Sequence, residues 1–124
     1  MNFKVSNNVL CHFGIQLRSP EEYNSEPLTE KIDVYSLGNI LWQLVIGSPY
    51  IFTQYKHTED VLDAVKEGRV QVDKELVDSF DENELAVLTA KEMCHRLDPA
   101  KRSTAVEVER FLRRKLKEFN INRY

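Results

Sequence analysis

A mainly α fold is predicted for this chain by two capping-box patterns and one apolar stretch. Asp81-x-x-Glu84 and Thr104-x-x-Glu107 each open a run of helically spaced apolar residues. Between Thr29 and Ile46 apolar residues fall on nearly every side of a helix too short to span a bilayer. With 124 residues, 42% of them apolar, the chain is long enough for one domain or part of one with a core of its own.

Residues 1–18 show neither helical nor strand periodicity and carry isolated polar groups, so they read as an irregular, solvent-facing segment. Ser19-Pro20-Glu21-Glu22-Tyr23 suits a short helix with proline in its first turn and acids beside it. The chain breaks again at residues 24–27. Thr29 then stands where it can cap a helix carrying Ile32, Val34, Tyr35, Leu37, Ile40, Leu41, Trp42, Leu44 and Val45. This is the expected core helix, ended by Gly47-Ser48-Pro49. Its Gly38 costs roughly 1 kcal/mol relative to alanine, which is tolerable where a neighbouring element packs close.

Tyr50 to His57 reads as a loop, and Thr58 is placed to cap a helix running through Glu67, with Val61, Leu62 and Val65 on one face before Gly68. The box at Asp81, with Ser79-x-x-Glu82 as a shifted competitor, opens a helix reaching about Arg96. Its Ala86, Ala90, Met93, Cys94 and Leu97 share a face. The last helix follows Thr104 and buries Val108, Phe111, Leu112 and Phe119. No internal repeat, linker or low-complexity segment interrupts the chain.

A net charge of −3 with both signs mixed argues against a surface built for nucleic acid or anionic membrane. The longest apolar stretch, Ile40 to Ile46, is interrupted by Gln43 and falls far short of the roughly 20 residues a membrane helix needs. The first residues lack a secretory-signal pattern, so an intracellular, cytoplasmic location is expected. Cys11 and Cys94 stand in no metal-type spacing with His12, His57 or His95 and read as buried or idle thiols. Arg110, Arg113, Arg114, Lys115 and Lys117 read as a solvated face near a helix C-terminus, with an acidic docking partner as the sharper alternative. Asp60, Asp63, Asp73, Asp78 and Asp81 read as solvated acids.

Three separated motifs, in order, resemble the C-terminal signatures of the protein kinase superfamily. Arg18-Ser19-Pro20-Glu21 is similar to the Ala-Pro-Glu element that closes the activation segment, with serine in place of alanine. Asp33-Val34-Tyr35-Ser36-Leu37-Gly38, followed by Leu41 and Leu44, resembles the start of the buried core helix of the large lobe. Asp98-Pro99-Ala100-Lys101-Arg102-Ser103-Thr104-Ala105 resembles the Asp-Pro-x-x-Arg-Pro turn before the final helix, with Ser103 in place of proline. The resemblance implies a bidentate pair between Glu21 and Arg102, where the residues alone allow two ordinary surface charges. It also implies that Asp33 accepts hydrogen bonds from a catalytic loop. That loop is not in this sequence, which leaves either an unfilled acceptor or a first-turn charge favoured by the helix dipole.

Phosphoryl transfer needs a glycine-rich loop over the phosphates, a strand-borne lysine, metal-binding acids and a base. The sequence contains no G-x-G-x-x-G, V-A-I-K, H-R-D-x-x-x-x-N or D-F-G. His12-Phe13-Gly14 imitates the last of these, but imidazole is a poor magnesium ligand and Gly14 stands too close to Ser19. The G-x-S-x-G, H-E-x-x-H and EF-hand patterns are absent as well.

By resemblance the fold is that of kinase-like large-lobe (C-lobe) helices without the β-rich small lobe. Residues 1–17 would form an activation-segment-like loop, 18–119 part of the kinase domain and 120–124 a tail. The resemblance implies a parent that transfers phosphate from ATP, with magnesium, to Ser, Thr or also Tyr in proteins. This segment would supply scaffold and substrate docking, with no catalytic, cofactor or metal residue of its own. Its kinase-like structural residues would be Ser19, Pro20, Glu21, Asp33, Gly38, Asp98 and Arg102. Expected partners are a protein substrate or the preceding part of a kinase. The alternative is a non-catalytic, pseudokinase-like interaction module. Either way, Leu37, Leu41 or their neighbours on the core helix are expected to be exposed and to favour self-association.

Overall fold

The computed structural model describes residues 14–70 and 72–123, with side chains through residue 120. Most of the expected N-terminal loop, with Cys11, His12 and Phe13, lies outside the described residues. Among the described residues, beyond a helical stretch at 14–16, the helices follow in the order α1 (Pro20–Tyr23), α2 (Lys31–Ile46), α3 (Thr58–Lys66), α4 (Lys74–Asp78), α5 (Glu82–Cys94) and α6 (Ala105–Arg123). No strand occurs among the described residues.

The helix boundaries follow local chemistry. Ser19 precedes α1 and gives both its backbone N–H and its hydroxyl to the Glu22 carboxylate, at 2.7 and 2.8 Å. At α5 the Asp81 carboxylate accepts from Glu84 N at 2.8 Å while Glu84 accepts from Asp81 N, the reciprocal capping box. Thr104 and Glu107 make the same exchange at the start of α6. Gly47 ends α2 at φ 76° and Gly68 stands just past α3 at φ 65°, conformations that cost a side-chain-bearing residue energy.

Several boundaries differ from the sequence reading. Thr58 lies inside α3 and His57 precedes it, because the chain turns helical one residue early. Helix α5 stops at Cys94, so Leu97 sits in the following turn and is 48% exposed rather than packed on the helical face. Helix α4 has only five residues, too few for periodicity to register; Asp73 caps it by accepting from Glu75 N at 3.0 Å. Residues 14–16 are helical instead of irregular, and Gln16 is buried. Its amide oxygen accepts from Ile51 N and Phe52 N while its nitrogen donates to Pro49 O. These bonds hold the Tyr50–His57 loop inward, so Ile51 and Phe52 are buried as well.

Two apolar clusters form the core. Trp42, Ile51, Phe52, Val61, Ala64, Val65 and Val70 join α3 to the last turns of α2, with Tyr23 and Tyr55 packed against them. Val34, Leu41, Ala90, Cys94 and Val108 join α2 to α5 and α6. Helix α2 packs most extensively on α5, α6 lies on α5, and α1 touches α3. The apolar residues all round α2 are not all covered. Leu41 is buried and Leu37 half-buried, but Ile40 and Leu44 are 53% and 71% exposed, because α3, α5 and α6 pack elsewhere on the helix.

Candidate functional site

The most constrained polar constellation is a junction where α1, the start of α2 and the α5–α6 turn meet. Arg102 lies at its centre, fully enclosed, and every guanidinium N–H has an acceptor. Nη1 donates to Glu21 Oε2 at 2.7 Å and to Lys31 O at 2.8 Å. Nη2 donates to Glu21 Oε1 at 3.1 Å and to Leu97 O at 3.3 Å, and Nε to Arg96 O at 2.9 Å. The arginine fork matches the carboxylate bidentately, the geometry in which charge-assisted bonds are strongest. Its planar face lies over the Tyr35 ring, 5.0 Å from the centroid.

Local sequence explains why the turn presents Arg102 this way. Asp98 folds the backbone through its carboxylate, which accepts from Ala100 N at 3.0 Å, and through its carbonyl, which accepts from Lys101 N and Arg102 N. Lys31 Nζ donates to Pro99 O at 3.3 Å and to Arg102 O, closing the turn from the α2 side. Pro20 and Glu21 are buried beneath it. Burial alone would raise the Glu21 carboxyl. The Arg102 bonds and charge, helped by its own backbone N–H and Ser19, bring it below the usual carboxylate value.

The structure therefore brings Ser19, Pro20, Glu21, Asp98 and Arg102 together. Asp33 is not among them: it stands exposed in the first turn of α2, where the helix dipole favours a carboxylate. Gly38 lies one level along α2, where it faces α5. A Cβ built there would sit 2.4 Å from His95 Cδ2 and 2.8 Å from Cys94 Cβ, so α2 and α5 approach more closely than any larger residue allows. Burial raises the Cys94 thiol to about 11, partly offset by the Arg102 charge.

Two buried polar residues, Asn39 and Lys91, and the half-buried His95 beside this junction escaped the sequence reading. Asn39 donates through Nδ2 to Leu17 O at 3.1 Å and accepts through Oδ1 from His95 Nε2 at 3.0 Å. The ring of His95 stacks on Tyr35 with centroids 4.5 Å apart. Lys91 is 1% exposed and donates to Val70 O and to the Glu92 carboxylate. The available signal was an asparagine set between Gly38 and Ile40 in an otherwise apolar helix, since a buried amide there requires partners.

Chemically this is a framework. Its charged groups are consumed by one another, and among the described residues no three His, Cys, Asp or Glu side chains are grouped as they would be to hold a metal ion. No described helix is long and apolar enough to cross a membrane.

Comparison with known proteins agrees with the motif order. No protein-family model matches the sequence. A proline-rich receptor-like protein kinase from Arabidopsis thaliana is 31% identical over 133 aligned positions, 98% of this chain and 18% of that protein. A leucine-rich repeat receptor-like serine/threonine/tyrosine-protein kinase from the same plant is 31% identical over 103 positions, 76% of this chain and 16% of that one. The chain thus spans less than a fifth of either relative. In structure it is similar to the twitchin kinase region from C. elegans, with a TM-score of 0.64 at 18% identity, covering 82% of this chain and 16% of that one.

Proposed function

We propose, for a chain that is protein kinase-like in sequence and fold, that residues 18–119 serve as the C-lobe scaffold and substrate-docking part of an ATP-dependent protein kinase. The observation that carries this reading is the enclosed Glu21–Arg102 pair, which fixes α1 against the α5–α6 turn. A segment that ends an activation segment has to be held in one place if a protein substrate is to rest beside it. The name of one relative, a serine/threonine/tyrosine-protein kinase, supports Ser/Thr chemistry with tyrosine included; the other is named only as a protein kinase. ATP, magnesium and the catalytic base would be bound outside this chain, whose own residues supply the framework. Residues 1–17 would form the activation-segment side of that framework and residues 120–124 a tail, and the protein would work in the cytoplasm.

A graft tests this reading. Residues 18–119 replace the matching stretch of the proline-rich receptor-like kinase, and phosphorylation of a generic substrate is measured with magnesium and ATP. Activity within about tenfold of the parent is expected, and about 1.4 kcal/mol of lost transition-state stabilisation corresponds to that limit. A graft that folds and binds ATP but transfers nothing would refute it. The chain by itself is expected neither to bind ATP nor to phosphorylate the substrate.

A second reading is favoured by exposed apolar groups: Ile40 and Leu44 on α2, and a separate groove lined by the half-buried Leu37 of α2 and by the half-buried Leu112 and exposed Leu116 of α6. This surface suits a non-catalytic, pseudokinase-like module that binds a protein partner or a second copy of itself. In that case the graft would be inactive while the chain alone would associate in solution.

A further inference from the structure

His95 occupies an unusual position for a titratable ring. Its Nε2 donates to Asn39 Oδ1, so Nδ1 is the bare acceptor nitrogen of the neutral tautomer. That atom is out of contact with solvent and has no protein hydrogen-bond partner among the described residues. The groups around the ring come from every element of the junction. Lys91 and Cys94 belong to α5, which ends just before His95, Tyr35 and Gly38 to α2, and Arg102 to the α5–α6 turn with Glu21 of α1 behind it. The nearest charges, Lys91 and Arg102, are both positive; the Glu21 carboxylate behind them is gripped at both oxygens by Arg102, and the exposed Glu92 carboxylate is paired with Lys91.

What the ring holds is as specific as its surroundings. Asn39 is 1% exposed, and its amide has one orientation that satisfies both ends: Oδ1 toward His95 and Nδ2 toward Leu17 O. Leu17 lies between buried Gln16 and buried Ser19, three residues ahead of α1. A chain of contacts therefore runs from α5 through His95 and Asn39 to the backbone that enters α1.

We propose that protonation of His95 at Nδ1 opens the Asn39 bridge and frees residues 15–19 from α2, which makes this contact an acid-sensitive latch. The proton comes from solvent and creates an imidazolium between two cations, at a nitrogen that is shut off from water and has no hydrogen-bond partner among the described residues. Swinging the ring out to water relieves both penalties and removes the donor that orients Asn39. The sign follows from linkage. Burial first, then Lys91 and Arg102, hold the closed ring at about 3 against 6.5 in water, while the Tyr35 backbone favours the cation and is outweighed. The open state binds more protons between those values, so the opening constant is lowest and level well above pH 6.5 and rises as pH falls below it. From pH 7 to pH 5 the opening constant should rise about 20-fold. Glu21, held below 4.5, titrates outside that interval.

The test is amide hydrogen exchange of residues 15–19 in the full chain at pH 7 and pH 5, corrected for intrinsic rates, with the His95 ring followed by NMR through the same range. The expected result is a rise of about 20-fold in opening and a ring that stays neutral in the closed state. The variant His95→Gln, which keeps a donor without a titrating ring, should show equal opening at both pH values. A ring that titrates near 6.5 while the segment stays closed overturns the proposal. So does an opening constant unchanged between pH 7 and pH 5, or a His95→Gln chain that keeps the full rise. Should that variant fail to fold, the ring and exchange data of the unaltered chain decide the matter.

Discussion

Glu21 and Arg102, 81 positions apart in the chain, meet through two parallel hydrogen bonds of 2.7 and 3.1 Å inside the protein. Removing either partner leaves the other charge enclosed without compensation, which costs about 3–5 kcal/mol. Arg102→Leu and Glu21→Gln are each expected to lower the melting temperature strongly. Because the two groups act as one unit, the double variant should be much less than additive. Urea titration of the four proteins checks both statements.

The same pair has a pH signature. The Glu21 carboxyl is held below its ordinary 4.5, so the stability it contributes is present above that value and is lost as pH falls through the lowered one. The difference in unfolding midpoint between the natural chain and Glu21→Gln should therefore shrink in acid below pH 4.5 and be steady from pH 5 to 8.

Gly38→Ala separates helix propensity from packing. Propensity alone would favour alanine by roughly 1 kcal/mol. Against this, the added methyl would meet His95 Cδ2 at 2.4 Å and Cys94 Cβ at 2.8 Å, and the second of these is fixed to the α5 backbone. Overpacking of this kind costs about 1–3 kcal/mol, so a net loss of stability is expected by denaturant unfolding.

Cys94 should be inert in the folded chain. Its thiol is buried and pushed up to about 11, which leaves almost no thiolate at neutral pH. In a Cys11→Ser background, modification by a thiol reagent at pH 7.5 should proceed only as fast as the chain opens and become rapid in denaturant.

Ile40 and Leu44 offer the opposite case. Exposed at 53% and 71%, they contribute little to the core, so Ile40→Lys and Leu44→Lys should change stability by less than about 0.5 kcal/mol. If the surface drives self-association, sedimentation of the double variant should show a smaller species than the natural chain, with weaker binding of a hydrophobic dye.

What could be read from the sequence was local chemistry. Asp81 with Glu84, Thr104 with Glu107, and Gly47 after the core helix act on their immediate neighbours, so their residue types carry the information. The partnership of Glu21 with Arg102 became legible only through the order of three motifs, since no local rule links residues so far apart. The Asn39–His95 contact spans 56 positions without a motif to mark it, and stayed hidden. Lys91 stayed hidden too, because a lysine beside the apolar face of a helix usually extends into water. The exposed side of α2 was misjudged in detail for a related reason: an apolar surface does not state which neighbour will cover it.

The separation of Glu21 from Arg102 also sets an order in time. During vectorial synthesis at about 5–20 residues per second, the acid emerges roughly 4–16 s before the base that receives it. Through that interval α1 has no counter-ion to enclose and its carboxylate remains hydrated. The junction cannot close before Arg102 has emerged, and a ribosome paused ahead of it holds a chain whose helix α1 can rest on α3 but lacks its counter-ion.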